Sequence, residues 1–127
     1  MGFLSKGRHV MLDIVGWKEE QDFSAEDLLA LMRDVAEAAG VNVVHEHLVH
    51  FDGSVSPKGF ASVLLIDESH ISAHCYSEDG LLAMDIFTCG EHDPDTIADN
   101  LLAYMMAAAP TLECVNRQSH SRFLDRE

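Results

Sequence analysis

The run Asp67-Glu68-Ser69-His70, with His74 four residues further on, sets an acid, a hydroxyl and two imidazoles directly after the apolar stretch 63–66. Cys89 adds a thiol fifteen residues after His74. A hydroxyl, a base and a thiol are the parts of nucleophilic chemistry. A Ser-His-Asp hydrolase is one reading, but the local run is Glu-Ser-His, with no GxSxG elbow and no visible oxyanion hole. A cysteine hydrolase built on Cys89 and His74 is a second. Residue types alone leave both open. His45, His47 and His50 invite a metal reading. Only two of them fall on one strand face, short of the three or four ligands zinc needs, so no metal site is expected.

These residues need elements to position them. "GRHVMLDIVGW" sets Val10, Leu12 and Ile14 against Met11, Asp13 and Val15, the alternation of a strand. "DFSAEDLLALMRDVAEAAG" is a helix: Ser24 caps it, Asp27 stands three residues on, Leu28, Leu31, Met32, Val35 and Ala39 form a stripe, and Gly40 stops it. "VNVVHEHLVHF" is a second strand, with Val41, Val43, His45, His47, Val49 and Phe51 on one face. "DGSVSPKG" is a turn. Strands follow at about 60–67, 70–76 and 82–88, with "SEDG" turning between the last two. "HDPDTIADNLLAYMMAAAP" is a second helix, with Asp93 as N-cap, Pro94 at its first position and Pro110 at its end. "TLECVNR" supplies a last strand. The order β-α-β-β-β-β-α-β predicts an α+β two-layer sandwich, an antiparallel sheet with both helices on one face. The other face must be solvated or meet a second copy. Ser69 and His74 differ by an odd number, so a regular strand would turn them to opposite faces. A bulge or turn at Glu68–Ser69 is therefore expected, and with it a hairpin that gathers Ser69, His74 and Cys89 in one cleft.

At 127 residues the chain fits one domain, 1–127. Eight Lys and Arg face twenty-two acids, for a net charge of −14. That excludes phosphate reading, and with it nucleic acid and anionic membranes as partners. No apolar run approaches the roughly 18–20 residues that cross a bilayer. The first residues match neither a secretory signal nor a myristoylation pattern. Cys75, Cys89 and Cys114 are an odd count without CxxC, which points to a reducing cytoplasm rather than a disulfide framework.

Taken together, "ESHIS-H" and "DIFTCG" strongly resemble the prokaryotic S-adenosylmethionine decarboxylases, pyruvoyl-dependent enzymes of spermidine synthesis. "GRHVMLDIVGW", "VHFDGSVSPKG" and "CGEHDPDTIADNLL" are similar to further segments of that family, in order. The resemblance implies self-cleavage between Glu68 and Ser69, giving a beta chain, 1–68, and an alpha chain, 69–127. Ser69 would attack the Glu68 carbonyl, and β-elimination of the resulting ester would leave a pyruvoyl group in place of Ser69. That ketone would form a Schiff base with the substrate amine and draw electrons from the breaking bond to the carboxylate. By position, His74 would assist cleavage, His70 would orient or shape the cut, and Cys89 would return a proton to the α-carbon. An ordinary thiol, with a pKa of about 8.5, is protonated at neutral pH and suits that task.

The chain departs from the family in two places. Where "PQGVSG" is usual it reads "PKGFAS", so Ala61 takes the place of a processing serine and Ser62 stands one residue late, as a possible substitute. Where "H-x-[WF]-P-E" is usual it reads "HCYSE", with Tyr76 and Ser77. Glu78 matches an acid for the ribose hydroxyls, and Phe51 an aromatic for the adenine. The resemblance thus implies S-adenosylmethionine as substrate, with arginine or ornithine as the alternative and an unprocessed binding or regulatory homologue as the third reading. It also implies a homodimer with sites shared between protomers.

Overall fold

The computed structural model describes residues 5–89 and 92–124. Eight elements follow the expected order: β1 (Ser5–Val15), α1 (Ala25–Ala38), β2 (Val43–Phe51), β3 (Gly59–Ile66), β4 (Ser69–Tyr76), β5 (Leu81–Cys89), α2 (Pro94–Ala108) and β6 (Glu113–Leu124). The six strands form one sheet in the order β2-β3-β4-β5-β1-β6, antiparallel at every step. Both helices lie on one side. α1 packs on β2 and β3, and α2 on β1, β5 and β6. The other side is open.

The sequence dictates this one-sided burial. Along β4, Ser69, Ile71, Ala73 and Cys75 are buried, while His70, Ser72, His74 and Tyr76 are not. β5 and β1 alternate likewise, so Leu82, Met84 and Ile86 join Val10, Leu12 and Ile14 under the helices. α1 answers with Leu28, Met32 and Val35, and α2 with Ile97, Leu101 and Met105. Leu31 and Ala39, expected on the α1 stripe, are half-buried and exposed; Leu29 and Ala36 hold those places. The capping box is formed in both directions: Asp27 N–H donates to Ser24 Oγ at 3.1 Å and Ser24 N–H to Asp27 Oδ2 at 2.9 Å. Such a cap is worth about 1 kcal/mol.

Two irregularities alter the expected pattern. The β2–β3 register shifts between Val43 and His45. Val44 is the extra residue of a bulge, so Val43 turns to the core while His45, His47, Val49 and Phe51 face the open side. The single face drawn through Val41 to Phe51 is thus two faces. β6 runs on to Leu124, well beyond "TLECVNR". It is an edge strand of polar alternation, and its length follows from pairing with the whole of β1.

Gly59 opens β3 with φ +154, and a Cβ there would stand 1.8 Å from the Cys75 carbonyl oxygen. Gly53, with φ +94, has its nearest neighbour at 3.6 Å. In urea titrations Gly59→Ala should cost at least about 2 kcal/mol and Gly53→Ala no more than about 1 kcal/mol. Equal losses would show that β3 and β4 do not approach this closely.

Candidate active site

Two residues, Asp67 and Glu68, turn the chain from β3 into β4, and Ile66 and Ser69 form the pair that closes the hairpin. Asp67 has φ 51, a left-handed conformation that aspartate tolerates better than most residues. The expected distortion at the Glu68–Ser69 bond is therefore a tight turn. It does not reconcile the parity of Ser69 and His74, because β4 is regular from Ser69 onward. Ser69 points into the helix-covered side, 5% exposed, and His74 is exposed on the open side.

Ser69 and Cys89 do meet. The Cys89 backbone N–H donates to Ser69 Oγ at 3.1 Å. Cys89 ends β5, half-buried and in phase with Phe87 on the open face. Thr88 beside it is 1% exposed, and its Oγ1 donates to the His92 carbonyl at 2.7 Å. Beyond, Arg8 Nη2 lies 2.8 Å from Asp95 Oδ2, and Arg117 pairs with Asp95 and Asp99 at 3.0 and 2.7 Å. These contacts tie the start of α2 to β1 and β6 and so fix both ends of the segment that follows Cys89. Thr88 and Arg8 went unnoticed in the sequence, where nothing marks them apart from their neighbours.

His70 follows Ser69 but faces the open side. Its ring lies 5.6 Å from that of Phe87 and 6.5 Å, edge-on, from that of His9. His9 Nε2 is 3.0 Å from Asp85 Oδ1. Burial first, then the neighbouring His9, lowers the His70 pKa, against the opposing pull of Asp85.

The remaining expected site residues stand apart. His74 is five residues along β4 from Ser69, about 16 Å, and its lateral neighbours are Ala61 and Ala83. Gathering Ser69, His74 and Cys89 in one cleft thus fails within a single chain. Ser62 does not replace the serine missing at Ala61 either. It is buried on the helix side, with its Oγ 4.0 Å from Met32 Sδ, and alternation turns it away from His74. The hydroxyl on His74's face is Ser72, which lines with His74, His47 and Ala61 a hollow of about 250 Å³ that Ser62 also borders. Its even spacing from His74 was the signal that could have identified it. Tyr76 and Phe51 flank Gly59 in one lateral row at the far end of the sheet, and Glu78 is exposed in the turn beyond. His50 turns to the helix side and pairs with Glu26 at 2.7 Å. Among the described residues no three His, Cys, Asp or Glu side chains converge as metal ligands.

An NMR pH titration should find His70 ionising below the ordinary histidine value of about 6.5. His9→Gln removes a neighbouring positive charge and frees Asp85, so it should raise the His70 midpoint. A lower or unmoved midpoint would mean that His9 does not act on it.

The arrangement has known relatives. The profile of the S-adenosylmethionine decarboxylase family matches residues 8–118. A relative from Brevibacillus brevis, named S-adenosylmethionine decarboxylase proenzyme, is 37% identical over 106 residues, covering 83% of this chain and 77% of its own. One of the same name from Symbiobacterium thermophilum is 36% identical over 104 residues, covering 81% and 76%. The crystal structure of the adenosylmethionine decarboxylase from Aquifex aeolicus superposes with a TM-score of 0.72 at 25% identity, over 97% of this chain and 95% of that one. With the family profile matched over nearly its whole length, and an Asp-Glu turn that presents Ser69 to the end of β5, the chain belongs to the S-adenosylmethionine decarboxylase family.

Proposed function

We propose that this chain is a self-cleaving decarboxylase of S-adenosylmethionine, supplying the aminopropyl donor for spermidine synthesis, with Ser69 as the source of a pyruvoyl group. The observation that carries this reading is the contact of Ser69 Oγ with the Cys89 N–H at the mouth of a tight turn. Ser69 Oγ attacks the Glu68 carbonyl carbon, and the peptide bond becomes an ester. The backbone donor lowers the cost of negative charge developing on Oγ and leaves the hydroxyl proton free for a base. Elimination across Cα–Cβ releases the Glu68 carboxylate as the end of 1–68. Hydrolysis of the remaining enamine releases ammonia and leaves the ketone at the head of 69–127. The residues present fit such a group: Ser69 is secluded and the Cys89 backbone lies against it, with the thiol on the same residue. When present, the pyruvoyl group supplies an electron sink for the bond between the substrate α-carbon and its carboxylate. Cys89 then returns the proton to that carbon.

A second copy completes the site. Phe51, Tyr76 and Glu78 lie at the opposite end of the sheet from Ser69, and Ser69 and Tyr76 are seven residues, about 23 Å, apart. Two copies laid antiparallel about a two-fold axis bring the far end of each to the Ser69–Cys89 end of the other. His74 of the partner, with Ser72 beside it, then serves as the base for cleavage. Phe51 and Tyr76 flank a glycine, which leaves two strand spacings, about 10 Å, between the rings. A flat base fits that width, and Glu78 suits the ribose hydroxyls. The acidic chain steers the cationic substrate inward, and three free cysteines suit a reducing cytosol.

Intact-mass spectrometry should find two chains, 1–68 and 69–127, the second lighter than its sequence by one ammonia. Ser69→Ala should leave one chain, without activity. Release of carbon dioxide from carboxyl-labelled S-adenosylmethionine, and not from arginine or ornithine, tests the substrate. A single uncut chain in active protein sinks the mechanism, and one inactive on every substrate points to a regulatory homologue.

The shared site has its own test. Ser69→Ala and His74→Ala should each be inactive alone and, when co-expressed, recover up to roughly a quarter of wild-type activity. No recovery would place both residues in one chain's site. Ser72→Ala should slow cleavage at least about tenfold by removing a hydroxyl beside the base, and Ser62→Ala should not.

A further inference from the structure

The open face differs in composition from the rest of the chain. Of the eight histidines, all but His50 and His92 stand on it. Register places His45, His70, His9 and His120 in one lateral row across all six strands, with Leu65 and Phe87 at the two remaining places. His47 and His74 belong to the next two rows. Around them Val49, Leu65, Tyr76 and Leu81 are more than a third exposed. Of twenty-two acids in the chain, the strands bring only Asp13, Asp85 and Glu113 to this face.

We propose that two copies of this chain associate through the open face only while its histidines are neutral, so that the assembly loosens as pH falls below about 6.5. This rests on the shared-site reading, which names a second copy as the occupant. Charge distribution argues for the same occupant. A chain of net charge −14 repels its copy, yet among the described residues the strands bring only three carboxylates and one guanidinium, Arg122, to this face. A copy meets less repulsion here than the net charge of the whole chain implies.

The groups that meet these imidazoles decide the direction of the effect. Asp85, from β5, reaches His9 at 3.0 Å. Asp13, from β1, accepts a hydrogen bond from Asn116 instead, and Glu113 lies at the far row of β6. His120 Nε2 is 3.1 Å from Gln118 Oε1, and Arg122 lies over Phe87 at 5.6 Å. Tyr76 and Cys89 share the face. Among the described residues, His45, His47, His70 and His74 have no carboxylate within ion-pair distance. Protonated and covered by a copy bearing the same four, they lose water and face like charge. Assembly therefore releases protons, and its dissociation constant rises as pH falls. Acid also reduces the overall negative charge, which favours assembly. That term acts at long range and is screened beyond about 8 Å in physiological salt, whereas the imidazoles act in contact.

Sedimentation velocity on the purified protein at pH 8.0 and pH 5.5, in 0.3 M salt, tests the proposal. The dissociation constant should rise at least about fivefold at the lower pH, the effect there of one histidine lowered by one pKa unit from about 6.5. His45→Gln/His47→Gln removes two exposed imidazoles outside the core and should flatten that dependence. A dimer equally tight or tighter at pH 5.5 overturns the proton dependence while leaving the shared-site reading intact. A double variant that dissociates as steeply as wild type overturns the assignment to this face. A monomer at every pH overturns both.

Discussion

The two-residue period of β4 governs what this molecule can do. A strand in a sheet covered on one side must send alternate side chains into the core and out of it. Ser69, Ile71, Ala73 and Cys75 go in; His70, Ser72, His74 and Tyr76 go out. The candidate nucleophile, Ser69, is thereby given the drier side and a backbone donor, and the candidate base, His74, the open one. No rotamer change moves a side chain through the sheet. Ser69 and His74 are thus divided between the two faces of the sheet and stand five residues apart along one strand. Cys75 shows what the buried side does to a thiol: burial pushes its pKa up to about 12.

The Ser69 end is also where the fold is tied most tightly. The hydrogen bond between Cys89 and Ser69 depends on where β5 stops. That stop is set by Thr88, whose hydroxyl holds the His92 carbonyl, and by the Asp93 cap and Pro94 that begin α2. Arg8 and Arg117 converge on Asp95 from β1 and β6. Their groups are partly exposed, so each pair contributes little to stability. Their effect is geometric: three elements distant in sequence meet at the first turn of α2.

Much of this was legible in the sequence. The helices could be read because their caps are local chemistry, as the reciprocal Ser24–Asp27 bonds show. The strands could be read because burial on one face imprints alternation. The parity conflict between Ser69 and His74 was visible as well, but not its resolution: a tight turn places itself before Ser69 and leaves the conflict standing. The bulge at Val44 leaves no mark in composition, since a valine fits a bulge and a strand equally. β6 was cut short because "QSHSR" lacks an apolar stripe, and it is a strand only because β1 offers it an edge. Ser62 attracted notice by standing next to a vacant position, where the pleat allows no near neighbour to substitute. The residue two places from His74, Ser72, has the correct face, as the period requires.

Distance along the sheet also separates the candidate catalytic residues from the candidate recognition residues. Ser69 and Cys89 occupy one end, and Phe51, Tyr76 and Glu78 the other, with the buried rows of β3, β4 and β5 between them. A change in the far group alters no contact of Ser69 within the same chain. Tyr76 and Ser77 can therefore depart from the family's usual pocket wall without disturbing the turn, the Cys89 donor or the α2 clasp. The converse does not hold for Gly59, which lies between Phe51 and Tyr76 and against the Cys75 carbonyl. A side chain there would close the gap between the two rings and push β3 from β4 at once. At that one position the width of the recognition end and the packing of the sheet are the same constraint.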